Sequence, residues 1–266
     1  MKISYDKDSL YVDLSYFIFY RFFATDSWFK RQSEDKPDNE CFLKKYKDMF
    51  IKVLLEWMIK SNVDADNMFL IRDSSRENIW RNEHHKEYKG TRQVSSNFNK
   101  DIFKYTYDNI IPEMYEKYKI LTIHIDKLEA DDVIALLTKE TRKYNSDVNI
   151  NIITNDNDYV QLCIDDDNVK IINLQGIEIK NRVGYDPALY LKIKIIMGDK
   201  SDNISSIGKK VGIKTASKLA LSPDLLEAYF LKHPESRDKY ELNKLLIDFN
   251  NIPDELKMQL ETYINI

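Results

Sequence analysis

The sequence predicts an α/β domain, a mostly parallel sheet with helices on both faces, followed by a helical C-terminal region. Three observations carry this reading. Short runs rich in Ile, Val and Leu alternate with longer runs whose apolar residues recur every three or four positions, as strands and crossover helices do in a parallel sheet. The strand signal stops after about Tyr185, and shorter helical segments follow. No internal repeat or low-complexity tract is visible, which argues against a solenoid.

The elements follow in order. Leu10–Leu14 is the first strand. Its apolar continuation to Ala24 contains Asp13 and Arg21, falls short of the roughly 20 residues of a membrane span and lacks a small-residue cleavage site. Asn67–Ile71, Ile120–Ile125, Val148–Thr154 and Val169–Leu174 are the remaining strands, each bounded by polar residues. Between them, Cys41–Lys60, Asp101–Lys119 and Glu129–Tyr144 carry the apolar stripe of amphipathic helices. Pro187 starts a helix of the second region, and Gly198, Gly208 and Gly212 punctuate what comes after. The expected division is 1–185 and 186–266. Residues 74–100 form a long polar insertion, crowded with Arg, Lys, His and Asn, and insertions of that length between a strand and a helix are usually functional or disordered.

Composition bounds the function. With 43% hydrophobic residues among 266, the chain can bury a core, which excludes a fibrous or wholly disordered protein. Forty basic against 44 acidic residues give a net charge of −4, with no overall pull toward a polyanion. Cys41 and Cys163 are too few for a disulfide framework or a zinc site and fit free thiols in a reducing compartment. A cytoplasmic monomer with no membrane contact is therefore expected.

The acidic residues are placed unusually. Asp13 ends the first strand and Asp73 follows the second. Glu129, Asp131 and Asp132 open the helix after the third, Asp156 and Asp158 lie just past the fourth, and Asp199 and Asp202 follow the apolar run Ile193–Met197. In an open parallel sheet the carboxyl ends of the strands share one edge, so five regions deliver nine carboxylates to one place. Asp156 and Asp158 alternate by two and Asp199 and Asp202 by three, spacings that put each pair on one side of an extended or helical backbone. Singly, such acids are helix caps and solvated turns; together they repel, and divalent cations relieve that repulsion. Oxygen donors without His or Cys suit Mg²⁺ rather than Zn²⁺, and two such ions can clamp both oxygens of a phosphodiester. Setting these nine aside leaves 35 acids against 40 bases, so the remaining surface can hold nucleic acid.

Two basic stretches complete the pattern. Within the insertion, Arg76, Arg81, Lys86, Lys89 and Arg92 recur at near-helical spacing with Trp80 and Tyr88 among them, which suits phosphate contact and base stacking or, equally, an exposed ion-paired helix. Further on, Gly208 and Gly212 surround Lys209 and Lys210 ahead of Lys214, Thr215 and Lys218. A Gly turn that opens a helix offers N–H groups and a positive dipole end to a phosphate.

With EADD at 129–132, TNDND at 154–158, MGDKSDNI at 197–204 and KTA at 214–216, the chain resembles the flap endonuclease/5′-nuclease superfamily. HIDKLEADD, WRNEHHKEYKGTR and LLIDFNNIPDELKMQLETYIN are similar to its T-even-type bacteriophage branch. The resemblance implies a PIN-like 5′-nuclease fold with a helical arch near 74–100 and a helix–three-turn–helix element around Gly208–Thr215. It implies metal-binding roles for all nine acids and gateway roles for Arg81, Lys89 and Arg92, with Tyr88 as a stacking neighbour. DNA contacts are implied at Gly208, Lys209, Lys210, Gly212, Lys214 and Thr215, assisted by K⁺. The implied activity is that of a Mg²⁺-dependent 5′→3′ exonuclease and flap endonuclease with two metal ions, which Mn²⁺ can replace. It would remove RNA primers, an RNase H activity, during DNA replication. Its partners would be DNA and RNA–DNA hybrids with 5′ ends, flaps or nicks, single-strand-binding protein and a sliding clamp. Two positions depart from the family pattern: Asn157 replaces a Gly, and Lys210-Val211-Gly212 replaces Gly-x-Gly. Two rivals are a Toprim-type phosphotransferase, which expects Glu where the first strand has Asp13 and leaves Asp199 and Asp202 without a role, and a catalytically inactive DNA-junction binding module.

Overall fold

The computed structural model describes residues 3–32, 37–92 and 98–264. Strand β1 (Ser9–Asp13) runs directly into α1 (Leu14–Gln32), and α2 (Asn39–Lys60) follows. After β2 (Met68–Ile71) comes the polar insertion, then α3 (Asp101–Tyr105), a π-turn at Thr106–Ile110 and α4 (Ile111–Tyr118). Pro112 explains the π-turn: it lacks the N–H that residue 108 would accept, and the widened turn absorbs its ring. Strand β3 (Leu121–Ile123), α5 (Ala130–Tyr144), β4 (Ile150–Ile153), a 3₁₀ segment at Asn157–Cys163 and β5 (Val169–Ile172) complete the α/β part. The remainder is helical: α6 (Ile179–Val183), α7 (Pro187–Met197), α8 (Ile213–Leu221), α9 (Pro223–Lys232), α10 (Glu235–Ile247) and α11 (Asp254–Ile264).

All five strands are parallel, in the order β3-β2-β1-β4-β5. Alternation along each strand divides the core. Tyr11, Phe69, Ile71, Ile123, Ile150, Ile152 and Ile171 face α5 and the C-terminal helices, while Leu10, Val12, Met68, Leu70 and Ile153 face α1, α2, α3 and α4. The sheet is thus covered on both sides, as expected. The five expected strands form at the expected places. Helix α1 is an element the sequence reading did not anticipate.

The C-terminal region plays two parts. Residues of α7, α8 and α9 share a small core around Ile193, Ile196, Ile207, Ala216 and Phe230. Leu246, Ile247, Leu256, Leu260 and Ile264 instead pack into the sheet's own core beside α5. Two glycines shape the segment between α7 and α8. Gly198 has φ +73, and a Cβ there would collide with the carbonyls of Ile204 and Ser205; a Cβ at Gly208 would collide with the Tyr229 hydroxyl.

The insertion departs from expectation. Residues 74–92 contain two short 3₁₀ turns, Arg76–Asn78 and Trp80–Glu83, then successive tight turns, in place of an α-helical arch. Residues 93–97 of the expected arch lie outside the described residues. The turns are fixed by distant partners: Ser74 N donates to Leu128 O, Trp80 N to Lys127 O and Lys89 N to Asp202 O.

Candidate active site

Strand order reverses between β1 and β4: the chain builds β2 and β3 on one side of β1, then crosses to the other. Ligands of open α/β sheets bind beyond the carboxyl ends of the strands at such a switch point. A cavity of about 1280 Å³ opens there, lined by Asp13, Asp73, Glu129, Asp131, Asp156 and Asp199 together with Lys89 and Arg92. All five acid-bearing regions reach it.

Local hydrogen bonds aim these acids. Asp13 accepts from Tyr16 N at 3.0 Å and from the Thr154 hydroxyl at 3.1 Å, which ties the end of β1 to the end of β4. Asp73 accepts from Ala130 N at 2.8 Å and from the Ser15 hydroxyl. Asp156 accepts from Asp158 N at 3.0 Å and so caps the 3₁₀ segment that follows. Asp199 accepts from the Ser201 N–H at 2.7 Å and hydroxyl at 2.6 Å.

The other three acids lie behind the cavity wall. Asp132 is fully buried, with both oxygens taken by the Arg81 fork at 2.7 and 2.8 Å and one also by Trp80 Nε1 at 3.0 Å. Asp158 pairs with Lys194. Asp202 accepts from the Tyr88 hydroxyl at 3.1 Å and pairs with Arg92. Asp132 is therefore an internal counter-ion in this arrangement, and its oxygens are not free for a metal.

Two expected basic-segment roles are corrected. Arg81 is 2% exposed and spends its donors on Asp132, Glu129 (2.9 Å) and Leu246 O (2.8 Å), so it braces the wall and cannot touch a phosphate. Tyr88 is 4% exposed; its ring is not available for base stacking, and its hydroxyl joins Glu129 (3.0 Å) to Asp202. Lys89 and Arg92 do reach the cavity. Lys89 pairs with Glu129 and lies 3.9 Å from Asp202, and Arg92 pairs with Asp202 while its Nε donates to Ser201 O at 3.0 Å. They arrive through turns rather than one helix face, with Lys89 at φ +55. Lys86, by contrast, is exposed.

Lys194 went unanticipated. Only 6% exposed, it bridges Asp158 and Asp199, the latter at 2.7 Å. The available signal was a lysine inside the apolar run Ile193–Met197, five residues before Asp199. The basic turn borders the same cavity through Lys210 and Gly212. Gly212 accepts from Thr215 N (3.0 Å) and Ala216 N (2.9 Å) at the start of α8, while Lys209, Lys210, Lys214 and Thr215 are exposed. Lys210 holds φ +62, the left-handed conformation a glycine would adopt freely.

Comparison with known proteins places this architecture. The model of the "5′-3′ exonuclease, N-terminal resolvase-like domain" family matches residues 8–191, more than half of the chain. The chain belongs to the 5′-3′ exonuclease family. It is 31% identical over 214 residues to the 5′-3′ exonuclease of Buchnera aphidicola subsp. Schizaphis graminum, covering 78% of this chain and 66%, just under two thirds, of that protein. To the ribonuclease H of Enterobacteria phage T4 it is 27% identical over 213 residues, 73% of this chain and 68% of that protein. The bacteriophage T5 D15 flap endonuclease, solved as a pseudo-enzyme–product complex with DNA and metal ions, shares the fold. Its TM-score is 0.68 at 18% identity, over 98% of this chain and all of that one.

The electrostatics of this 5′-3′ exonuclease-family site suit divalent cations. Burial, and then the neighbouring Asp73, push the Asp13 carboxyl up to about 7. Burial also raises Asp73 against its hydrogen bonds, and burial with the charges of Asp132 and Glu129 holds Asp131 well above the usual carboxylate range. Elsewhere the chain's own cations win over burial: Lys89 and Arg81 lower Glu129, and Lys194 with the Ser201 donors holds Asp199 at about 2. Oxygens of Glu129, Asp131 and Asp132 lie within 4.8 Å of one another. Asp13, Asp73 and Asp131 are therefore acids in need of positive charge, an all-oxygen set that fits Mg²⁺ or Mn²⁺.

A stability prediction follows from the sign of these shifts. Asp13, raised in the folded state, binds a proton there that the unfolded chain has lost, so its contribution to stability falls as pH rises from about 4, the unfolded carboxylate value, to about 7 and levels off above. Divalent cations remove that deficit but must displace the protons. The rise in melting temperature on adding Mg²⁺ should therefore be larger at pH 8 than at pH 5, measured by calorimetry; an equal rise would contradict the assignment of raised carboxyls.

Proposed function

We propose that the chain is a Mg²⁺-dependent 5′ nuclease that hydrolyses phosphodiesters near 5′ ends, flaps or nicks of DNA and RNA–DNA hybrids. Primer removal during DNA replication is the role this activity would serve. One observation carries the reading: five regions bring six carboxylates to one cavity at the switch point, and the insertion adds Lys89 and Arg92 to its wall. Asp13, Asp73, Glu129, Asp131, Asp156 and Asp199 would hold the divalent cations, with Asp158 and Asp202 behind them. Bound there, such cations supply Lewis-acid charge to the phosphate and lower the pKa of water.

The chain's own residues do the rest. Lys89 and Arg92 are ion-paired with Glu129 and Asp202; a cation taken up by Glu129 would free Lys89, which with Arg92 on the same cavity wall would bind the scissile phosphate and stabilise charge developing on it. The Gly208–Thr215 turn presents backbone N–H groups and Lys209, Lys210 and Lys214 to duplex phosphates, with K⁺ as an added counter-charge. Residues 1–185, completed by Asp199 after α7, would carry cleavage, and the region from 186 would supply the duplex grip.

End-labelled 5′-flap, nicked-duplex and RNA–DNA substrates, with Mg²⁺ or EDTA, test the activity. Mg²⁺-dependent release of 5′-terminal fragments is expected, and no cleavage of any substrate would refute it. Lys89→Ala and Arg92→Ala should each cut the single-turnover rate at saturating 5′-flap DNA by at least about tenfold, because a preorganised donor acts mainly in the transition state. Lys86→Ala, with an exposed side chain, should keep that rate. Equal loss of affinity in all three, with the saturated rate intact, would make the segment a solvated basic face.

A further inference from the structure

We infer that Arg182 is the positioning residue of the Asp156–Asp158 turn, fixing the direction of the Asp156 carboxylate toward a divalent cation; this rests on the metal-dependent reading above. Arg182 lies on α6, just beyond the edge strand β5, and is exposed. Its Nη1 donates to Asn155 Oδ1 at 2.8 Å, and its Nη2 donates to the Asn155 backbone carbonyl at 2.9 Å and to Asn157 Oδ1. Arg182 makes no ion pair among the described residues.

An arginine fork normally seeks a carboxylate or phosphate, which matches its geometry. Here it is spent on two neutral amides, and those amides flank Asp156 on either side. The bond to the Asn155 carbonyl holds the peptide plane before Asp156, and the bond to Asn157 Oδ1 anchors the side chain after it, with Asp156 between them at φ −86 and ψ 134. The carboxylate is then steered from within the turn, since its Oδ1 accepts from Asp158 N. Oδ2 has no hydrogen-bond partner among the described residues and belongs to a side chain that lines the cavity. Asn173 Nδ2, at 3.3 Å from Asn155 Oδ1, is the only other side-chain donor to this turn from the β5 side among the described residues. Without Arg182 the turn keeps Lys194 and Gln161 Nε2 (3.0 Å) on Asp158, the Thr154 hydroxyl accepting from Asp156 N (3.3 Å) and a side-chain hydrogen bond between Tyr190 and Asn157, none of which holds the Asn155 carbonyl. Partners that orient a metal-binding carboxylate typically contribute about 10- to 100-fold in metal affinity.

Mn²⁺ titrated into the metal-free protein, with free Mn²⁺ followed by electron paramagnetic resonance, reads this without catalysis. Arg182→Ala should weaken Mn²⁺ binding by about tenfold with the melting temperature of the metal-free protein unchanged. Arg182→Lys should not restore it, because an ammonium cannot reach three acceptors as a fork does. The double variant Arg182→Ala/Asn157→Ala should lose less than the sum of the single losses. Wild-type Mn²⁺ affinity in Arg182→Ala would overturn the inference. So would unchanged Mn²⁺ affinity accompanied by a DNA-binding salt slope shallower by about one unit, since that marks a phosphate contact. No Mn²⁺ binding by the wild-type chain would instead overturn the metal-dependent function itself.

Discussion

Asp156→Asn is expected to lower Mg²⁺-dependent cleavage by on the order of 10⁴-fold, the loss seen when one member of a mutually dependent catalytic set is removed. The side chain lines the cavity with one oxygen unpartnered among the described residues, and it is set by its neighbours rather than by a counter-ion. An amide keeps the shape and the acceptor for Asp158 N but removes the charge that a cation needs. DNA binding should persist or tighten, because negative charge facing phosphate has gone. Asp199→Asn should behave alike in cleavage but also strand Lys194, which would keep only Asp158 as an ion-pair partner among the described residues. Its melting temperature should therefore fall where that of Asp156→Asn does not. Near-wild-type cleavage by both variants would remove the two positions from the site.

What was legible in the sequence divides along physical lines. The five strands were, because each is a short run rich in Ile, Val or Leu bounded by polar residues, as the largely buried strands of a doubly covered sheet are. The convergence of acids was legible for the same reason: once the strands are parallel, their carboxyl ends must meet. Helix α1 was not. Phe17 and Phe22 are buried in it while Phe19, Phe23 and Trp28 are partly exposed, so aromatic residues run all round and leave no clean stripe. In the insertion, the three- and four-residue spacing of Arg and Lys suggested one helix face. What shapes it instead are contacts across 40 to 114 positions, from Tyr88 and Lys89 to Glu129 and Asp202, which local spacing cannot encode. Lys194 was hidden by its apolar neighbours. Its burial makes sense only beside two carboxylates that other elements supply.

The most consequential of these differences concerns Arg81, and it gives opposite outcomes for the two roles. A gateway arginine touches the scissile phosphate, so its loss would slow turnover and leave the free protein's stability untouched. In the structure the guanidinium is buried, donates to both oxygens of Asp132, and also bonds Glu129 and the Leu246 carbonyl at the end of α10. Truncation would leave the Asp132 carboxylate fully enclosed, with the Trp80 indole N–H as its one remaining side-chain donor among the described residues. Breaking a buried pair from one side typically costs about 3–5 kcal/mol, because the surviving charge is uncompensated. For a chain of this length that corresponds to a fall in melting temperature on the order of 10 °C. Arg81→Ala should show that fall in the absence of DNA and metal. Arg81→Met/Asp132→Leu should recover most of it, since both charges leave together and apolar groups of similar size fill the space. An Arg81→Ala variant with wild-type melting and a slow saturated rate would put Arg81 back at the phosphate. Loss of stability, repaired by the double substitution, identifies Arg81 as the strut that holds the insertion and α10 against the start of α5.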